Sequence, residues 1–166
     1  AQAGGNLTTG ANNTIVGYDA EPSSATASNE ITLGNSSVSV IRAAVTSITS
    51  LSDERDKKDI KDITYGLDFV SKLQPREFVW DNRVEKRVVL DDEGNVESEI
   101  EHYSDNKNKK DFGFIAQEVQ AHDDDTLRLI YNANPDKLEM SYGKLVPILV
   151  KAIQELSEKV TALENS

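Results

Sequence analysis

Apolar positions follow three different rhythms along this chain. In residues 1–51 they come as short β-like clusters, "NTIVGY", "NEITLG" and "SVSVIRAAV", set apart by Gly, Asn and Ser turn signals. Beyond them, short helical and strand patterns alternate. "ITYGLDFVSKLQP" places Ile63, Leu67, Val70 and Leu73 at helical spacing, with Thr64 as the cap, Gly66 weakening the start and Pro75 just past the end. "REFVWD" alternates and predicts a strand with Phe78 and Trp80 on one face. "KRVVLDDEGNVESEIEHY" predicts two strands joined by a DDEGN turn, followed by a solvated loop, "SDNKNKKD". "DFGFIAQEVQAH" begins as a buried strand and turns helical near Ala116, and "RLIYN" is a further strand. Together these segments predict an α+β fold with an antiparallel or mixed sheet.

The third rhythm is the most regular. Tyr142, Val146, Leu149, Ile153, Leu156, Val160 and Leu163 step alternately by four and three, a heptad seam that predicts a long helix over 142–164. Glu155 and Lys159 add a favourable i,i+4 pair. Pro147 is expected to kink the first turns or to mark a late start. The seam serves a coiled coil, or else an amphipathic helix packed on its own domain. Val or Ile alternating with Leu leans towards two strands in simple parallel coiled coils.

Composition sharpens the boundary near residue 51. Of the first 51 residues, 33 are Ala, Gly, Asn, Ser or Thr, and only Asp19, Glu21, Glu30 and Arg42 are charged. Twelve larger apolar residues there are too few to close a core within one chain, so the strands are expected to find neighbours in identical copies. A flexible Ser/Gly/Ala tether is the other reading. The opening "AQAGGNLTTG" has no methionine, which suggests a piece of something longer.

Charge and residue inventory remove several function classes. With 29 acidic and 18 basic residues the net charge is −11, which opposes nucleic acid and anionic membrane as partners. The chain has no cysteine, and His102 and His122 are far apart, so neither a disulfide framework nor a thiolate or histidine metal site is expected. No membrane span, signal peptide, Gly-rich phosphate loop or histidine base beside a serine is present, and no cofactor is expected. His122, beside "DDD", reads as a helix-end residue.

One candidate for chemistry sits at the compositional seam: "SLSDERDKKDI", residues 50–60. A serine hydroxyl becomes a good nucleophile when a base takes its proton, and a neutral lysine amine is one such base. A free lysine has pKa ~10.4, so holding it neutral near pH 7 costs about 4 kcal/mol, which burial or neighbouring cations would supply. Arg55 and Lys58 lie close in sequence to Lys57, while Asp53, Glu54, Asp56 and Asp59 pull the other way. Spacing alone does not join Ser52 to Lys57. On a continuous helix they lie about 140° apart, and on an extended chain roughly 17 Å apart. A dyad requires a turn between them with Ser52 outside any helix. Otherwise Ser52 is a plain N-cap followed by acidic first-turn residues.

Four blocks in order, "SLSDERDKKDI", "GLDFVSKLQPREFVW", "DFGFIAQEVQ" and "LEMSYGKLVPILVKAIQEL", resemble the C-terminal intramolecular chaperone domain of phage tail fibres, tailspikes and endosialidases, also found in myelin regulatory factor. The resemblance runs from about Leu51 to Leu156, with the charged insert at 83–110 as a variable region. The upstream "GANNTIVGYDA" and "NEITLGNSSVSVIRAAVTSITS" resemble the shaft segments that precede this domain. The resemblance implies a shaft end in 1–51, with intertwined trimeric β-structure, and an α+β chaperone and autoprotease domain in 52–166. It implies a homotrimer whose folding client is its own shaft, and this overrides the two-stranded leaning of the seam.

By the same resemblance Ser52 is the nucleophile and Lys57 the base, and the scissile bond is Leu51–Ser52, cut once in cis with no external substrate. The shaft would belong to a virion whose fibre meets a host-surface receptor, and the chaperone would be made in the host cytoplasm and released. The alternative is a non-cleaving trimerisation module of a fibrous adhesin, with the same fold and an idle Ser52.

Overall fold

A computed structural model describes residues 3–45, 47–81, 83–90, 96–102, 108–123 and 126–166. The chain forms two compact units. One gathers Ala1–Ile41, Arg76–Gly113 and Asn132–Leu138; the other gathers Arg42–Pro75, Phe114–Tyr131 and Glu139–Ser166.

In the first unit, β1 (Thr14–Val16) and β2 (Ile31–Leu33) pair in parallel, with Thr14 opposite Ile31 and Val16 opposite Leu33. Contacts recur at the same offset of 17 residues. Thr8 Oγ1 donates to the Ala25 carbonyl, the Ala11 N–H to Ser28 Oγ, and Asn12 Nδ2 to Asn29 Oδ1 at 2.8 Å. The arrangement is two stacked coils of a parallel β-solenoid. Its corners repeat as well: Asn12 (φ 57°) and Asn29 (φ 64°) both turn through the left-handed region, which asparagine tolerates better than most residues. The coils touch where side chains are smallest. A Cβ on Gly10 would lie 1.7 Å from the Ala27 carbonyl oxygen. Ala20 and Ala27 are the buried apolar residues of the stack.

Carboxylates fasten the loops. Glu21 accepts the N–H groups of Gly5 and Asn6, each at 3.0 Å, and Glu30 accepts the N–H and the hydroxyl of Ser23. The neighbours expected from identical copies are therefore supplied in part by the same chain, one coil along. The third β-like cluster, "SVSVIRAAV", forms no strand, and Val40, Ile41 and Val45 are exposed.

The same unit holds β3 (Arg76–Val79), antiparallel to β6 (Lys110–Gly113). Phe78 and Trp80 stack edge to face with centroids 5.2 Å apart, as their shared strand face predicts. Trp80 Nε1 donates to Asp111 at 3.2 Å. Strands β4 (Glu85–Leu90) and β5 (Val96–His102) form the expected antiparallel hairpin, with an irregularity at Val89/Leu90. The DDEGN turn and residues 104–107 of the expected loop lie outside the described residues, and Lys110 and Asp111 at the end of that loop belong to β6. The sequence predicts a buried "DFGF" strand, but Phe112 is 84% exposed. A two-stranded ribbon covers one face at most, and among the described residues no second layer covers the other.

The second unit is built around helices α1 (Leu67–Lys72), α2 (Ala116–Gln120) and α3 (Leu145–Glu164), with a short antiparallel pair, β7 (Ile130–Tyr131) and β8 (Glu139–Met140). Its core is Phe69, Leu73, Val119, Leu129, Ile130, Leu145, Ile148 and Ala152. Helix α1 begins later than its periodicity predicts. Its N-cap is Gly66 in place of Thr64, and Ile63 lies outside the helix. The missing cap comes from α3, whose Glu155 carboxylate accepts the Leu67 N–H at 2.8 Å while lying against Gly66. Pro147 falls in the first turn of α3, where its absent N–H would have had no helical partner, so it starts the helix and does not break it.

Helix α3 carries two distinct stripes. Leu145, Ile148 and Ala152 are buried, in the helix that packs on α1. Of the heptad residues, Val146, Leu149, Ile153, Leu156, Val160 and Leu163 lie on α3 and are exposed by 42% to 75%. Tyr142 instead falls in a 3-10 turn, Tyr142–Lys144, ahead of the helix expected over 142–164, and its hydroxyl accepts the Phe114 N–H at 3.0 Å. Packing on its own domain therefore uses a stripe other than the seam.

Candidate functional site

The stretch around Ser52 belongs to the second unit and forms one tight turn. Ser52 precedes it. Asp53 is its extended N-cap (φ −66°, ψ 138°), Glu54–Asp56 make a single 3-10 turn, and Lys57 leaves it extended (φ −125°, ψ 150°). Two backbone bonds close the turn, from Asp56 N–H to the Asp53 carbonyl at 3.3 Å and from Lys57 N–H to the Glu54 carbonyl at 3.0 Å.

Side chains supply the rest. Asp53 Oδ1 accepts the Arg55 N–H at 2.9 Å and Arg55 Nε at 3.0 Å, and Asp53 Oδ2 accepts Arg55 Nη2 at 2.7 Å. The Arg55 guanidinium holds the Asp53 carboxyl below the ordinary carboxylate range, and Asp53 in turn raises Arg55 above its ordinary value. The cap is thus Asp53, and the reading of Ser52 as a plain N-cap is corrected. An aspartate accepts the N–H two residues on as readily as serine does, and here the arginine at that position adds a fork.

The turn reverses the chain enough to bring Lys57 Nζ to 2.7 Å from Ser52 Oγ and 2.8 Å from the Ser52 carbonyl oxygen. The whole stretch is exposed, and Leu51 is 95% exposed. Ser50 Oγ points to the Leu51 carbonyl at 3.5 Å, beyond the 2.7–3.1 Å or so at which a donor stabilises an oxyanion well. As a piece of chemistry, the site in this chain has a hydroxyl, an amine in contact with it and an accessible amide. It lacks a dry cover.

Residues 52–128 match a peptidase family described as the chaperone of endosialidase. Residues 52–128 form a chaperone-of-endosialidase domain. Domains of this family are intramolecular chaperones of phage tail proteins, as the four sequence blocks suggest. No curated protein and no solved structure matches the chain. The match to the chaperone domain opens on Ser52, spans the tight turn, α1, the hairpin region and α2, and ends at Arg128. The mixture of helices and strands with a long C-terminal helix is compatible with such a domain. Helix α3 and the stacked coils lie outside the matched stretch of the chaperone domain.

Sequence reasoning singled out Ser52 and Lys57 but not the device between them. The signal was present: an Asp two residues ahead of an Arg, both directly after the serine, is a capping and pairing pattern.

Proposed function

We propose that this chain joins the end of a phage fibre or tailspike shaft, residues 1–51, to an intramolecular chaperone, residues 52–166. The chaperone assembles three chains, sets the register of the shaft and cuts itself away at Leu51–Ser52. The observation that carries the reading is the 2.7 Å approach of Lys57 Nζ to Ser52 Oγ at the residue where the family match begins. The exposed heptad stripe of α3 supports the trimer, because six apolar residues in register, from Val146 to Leu163, are left for other copies to cover.

The chemistry runs in two balanced steps. Ser52 Oγ attacks the Leu51 carbonyl carbon through a five-membered ring while Lys57 takes the hydroxyl proton. The C–N bond of Leu51–Ser52 breaks, the Ser52 nitrogen receives a proton, and Leu51 is left as an ester on Ser52. Water then hydrolyses that ester, giving a Leu51 carboxylate and a Ser52 amino terminus with its hydroxyl restored. Attachment of the nucleophile to the amide it attacks gives the step its proximity. A neighbouring protomer supplies the cover and the oxyanion donors that one protomer lacks. Cleavage is then coupled to assembly. The released shaft would be held by kinetic stability, since its slow non-local pairing cannot easily be retraced. The shaft goes to the virion to serve binding at a host surface, and the chaperone stays in the host cytoplasm.

The test is mass spectrometry of freshly expressed chains. Wild type is expected to yield one product ending at Leu51 and one beginning at Ser52. Ser52→Ala is expected to stay intact and still assemble, Lys57→Ala to cleave far more slowly, and Lys58→Ala to cleave nearly normally. A wild-type chain intact after long incubation favours the second reading, a non-cleaving trimerisation module, which the exposure of the site in the protomer supports. Normal cleavage of Lys57→Ala rejects the residue assignment.

A further inference from the structure

Three residues of 3-10 helix with no buried side chain do not hold themselves. The Glu54–Asp56 turn has two backbone hydrogen bonds, one of them long at 3.3 Å, and every residue from Leu51 to Ile60 is exposed. An isolated turn of this kind frays in water. What distinguishes this one is Asp53, which makes three hydrogen bonds to a single residue, one to the backbone N–H of Arg55 and two to its guanidinium. The backbone bond fixes where the chain enters the turn. The fork fixes the Asp53 carboxylate itself, occupying both of its oxygens.

The second effect matters as much as the first. Lys57 is a cationic side chain four residues from Asp53, and an unoccupied carboxylate there would compete with Ser52 for it. A Lys57–Asp53 ion pair would draw the amine off the hydroxyl. With Arg55 filling both carboxylate oxygens, Lys57 Nζ instead bonds Ser52 Oγ and the Ser52 carbonyl.

We infer that Asp53 and Arg55 are positioning residues for the cut at Leu51–Ser52: Asp53 builds the turn that presents Lys57 to Ser52, and Arg55 keeps Asp53 from capturing Lys57. This inference rests on the reading of Ser52 and Lys57 as nucleophile and base. The two residues touch neither the scissile carbonyl nor the attacking oxygen, so their effect is on geometry and competition.

The experiment measures first-order cleavage of the full chain, with assembly and melting temperature followed in parallel. Asp53→Ala is expected to slow cleavage by about tenfold to a hundredfold, the scale of a small misplacement of reacting groups, with assembly intact. Asp53→Asn keeps an acceptor for the Arg55 N–H and is expected to fall between Asp53→Ala and wild type. Arg55→Ala frees the carboxylate and is expected to slow cleavage. The double variant Asp53→Asn with Arg55→Ala removes the competing charge while keeping the cap, and is expected to cleave faster than Arg55→Ala alone.

That suppression is a readout that loss of structure alone would not produce. In a Lys57→Ala background, Asp53→Ala is expected to add little further loss. Wild-type rates in Asp53→Ala would overturn the inference, as would a double variant slower than Arg55→Ala. Should Asp53→Ala fail to assemble, Asp53→Asn and the double variant decide the matter. Ser52→Ala separates the two levels: if it still cleaves, the underlying assignment fails. If it is inert while Asp53→Ala cleaves normally, only the present inference fails.

Discussion

The two stripes of α3 can be set against each other by paired substitutions, Ile148→Ala on the buried stripe and Ile153→Asp on the seam. Ile148 is 1% exposed. Truncating it removes the packing of a buried side chain and leaves a cavity, at a cost of about 2–5 kcal/mol to the fold of each chain. Ile153 is 65% exposed, so its replacement is expected to change the stability of an isolated chain by only about 0.5 kcal/mol or less. In a trimer built on the seam the balance reverses. Covering what remains of an isoleucine of that exposure gains about 1–2 kcal/mol per copy, and three copies share the loss. Each 1.4 kcal/mol is about tenfold in an equilibrium constant, so the lost burial alone lowers assembly by roughly a hundredfold or more. An aspartate carried to the axis adds the penalty of an unpaired buried charge.

Sedimentation equilibrium at several micromolar concentrations reads the assembly, and thermal melting by circular dichroism reads the fold. Wild type is expected at about three times the 18.3 kDa chain mass, or three times the mass of each cleaved piece. Ile153→Asp is expected to be a folded monomer, and Ile148→Ala a destabilised protein that still assembles at low temperature. A concentration-independent wild-type monomer refutes the seam argument outright, and so does an Ile153→Asp trimer as tight as wild type.

Two further expectations test other parts of the chain. Gly10→Ala would put a methyl group on the Ala27 carbonyl oxygen and is expected to separate the stacked coils at about 1–3 kcal/mol. Gly143→Ala meets nothing within 4 Å and is expected to be close to neutral, so equal hydrogen-exchange protection of the coils in both variants would reject the stacking. The third concerns acid. Because Arg55 depresses the Asp53 carboxyl in the folded chain, the fork contributes fully above the ordinary carboxylate range and is lost as pH falls through the depressed value. The Arg55 Nε–H resonance is therefore expected to stay constant from neutral pH down to roughly pH 5 and to change only below the usual aspartate value of ~3.9. A change near pH 6 would mean that the fork is not made in solution.

What the sequence disclosed and what it hid divide along physical lines. Local periodicity was legible: the seam of α3, the Phe78–Trp80 face and the switch from strand to helix near Ala116 all follow from spacing between near neighbours. Long-range partners were not. The cap of α1 is a carboxylate 88 residues away, and no propensity at Thr64 or Gly66 announces it. The stacked coils fall between these cases. "NNTIVG" and "NEITLG" stand 17 residues apart, each opening on an asparagine that turns left-handed and closing on a glycine. Read as separate strands they need other chains, and read as a repeat they pair with each other. At the candidate site, the residue types were legible and the approach of Ser52 to Lys57 was not. Neither a helix nor an extended strand brings them together, and only the Asp53-capped turn does.

That turn also suggests why a self-cutting chain would not cut too early. In one chain the hydroxyl and amine already touch, so the step that would remain for the proposed cut is neither folding of the turn nor meeting of the base with the hydroxyl. It is removal of water. The Lys57 amine stands in water, and a carbonyl whose Ser50 hydroxyl lies at 3.5 Å gains little help as charge develops on its oxygen. Both deficits would be met by the same event, the closing of other copies over the stretch from Ile48 to Ile60, where Ile48, Leu51 and Ile60 stand exposed. Apolar cover lowers the dielectric around the amine, and backbone N–H groups from a neighbour can reach the carbonyl. A dyad assembled in advance and completed by association would report the one state that matters, three chains in register. On the proposed reading the order of events would be positioning within the chain first, desolvation between chains second, and cleavage last.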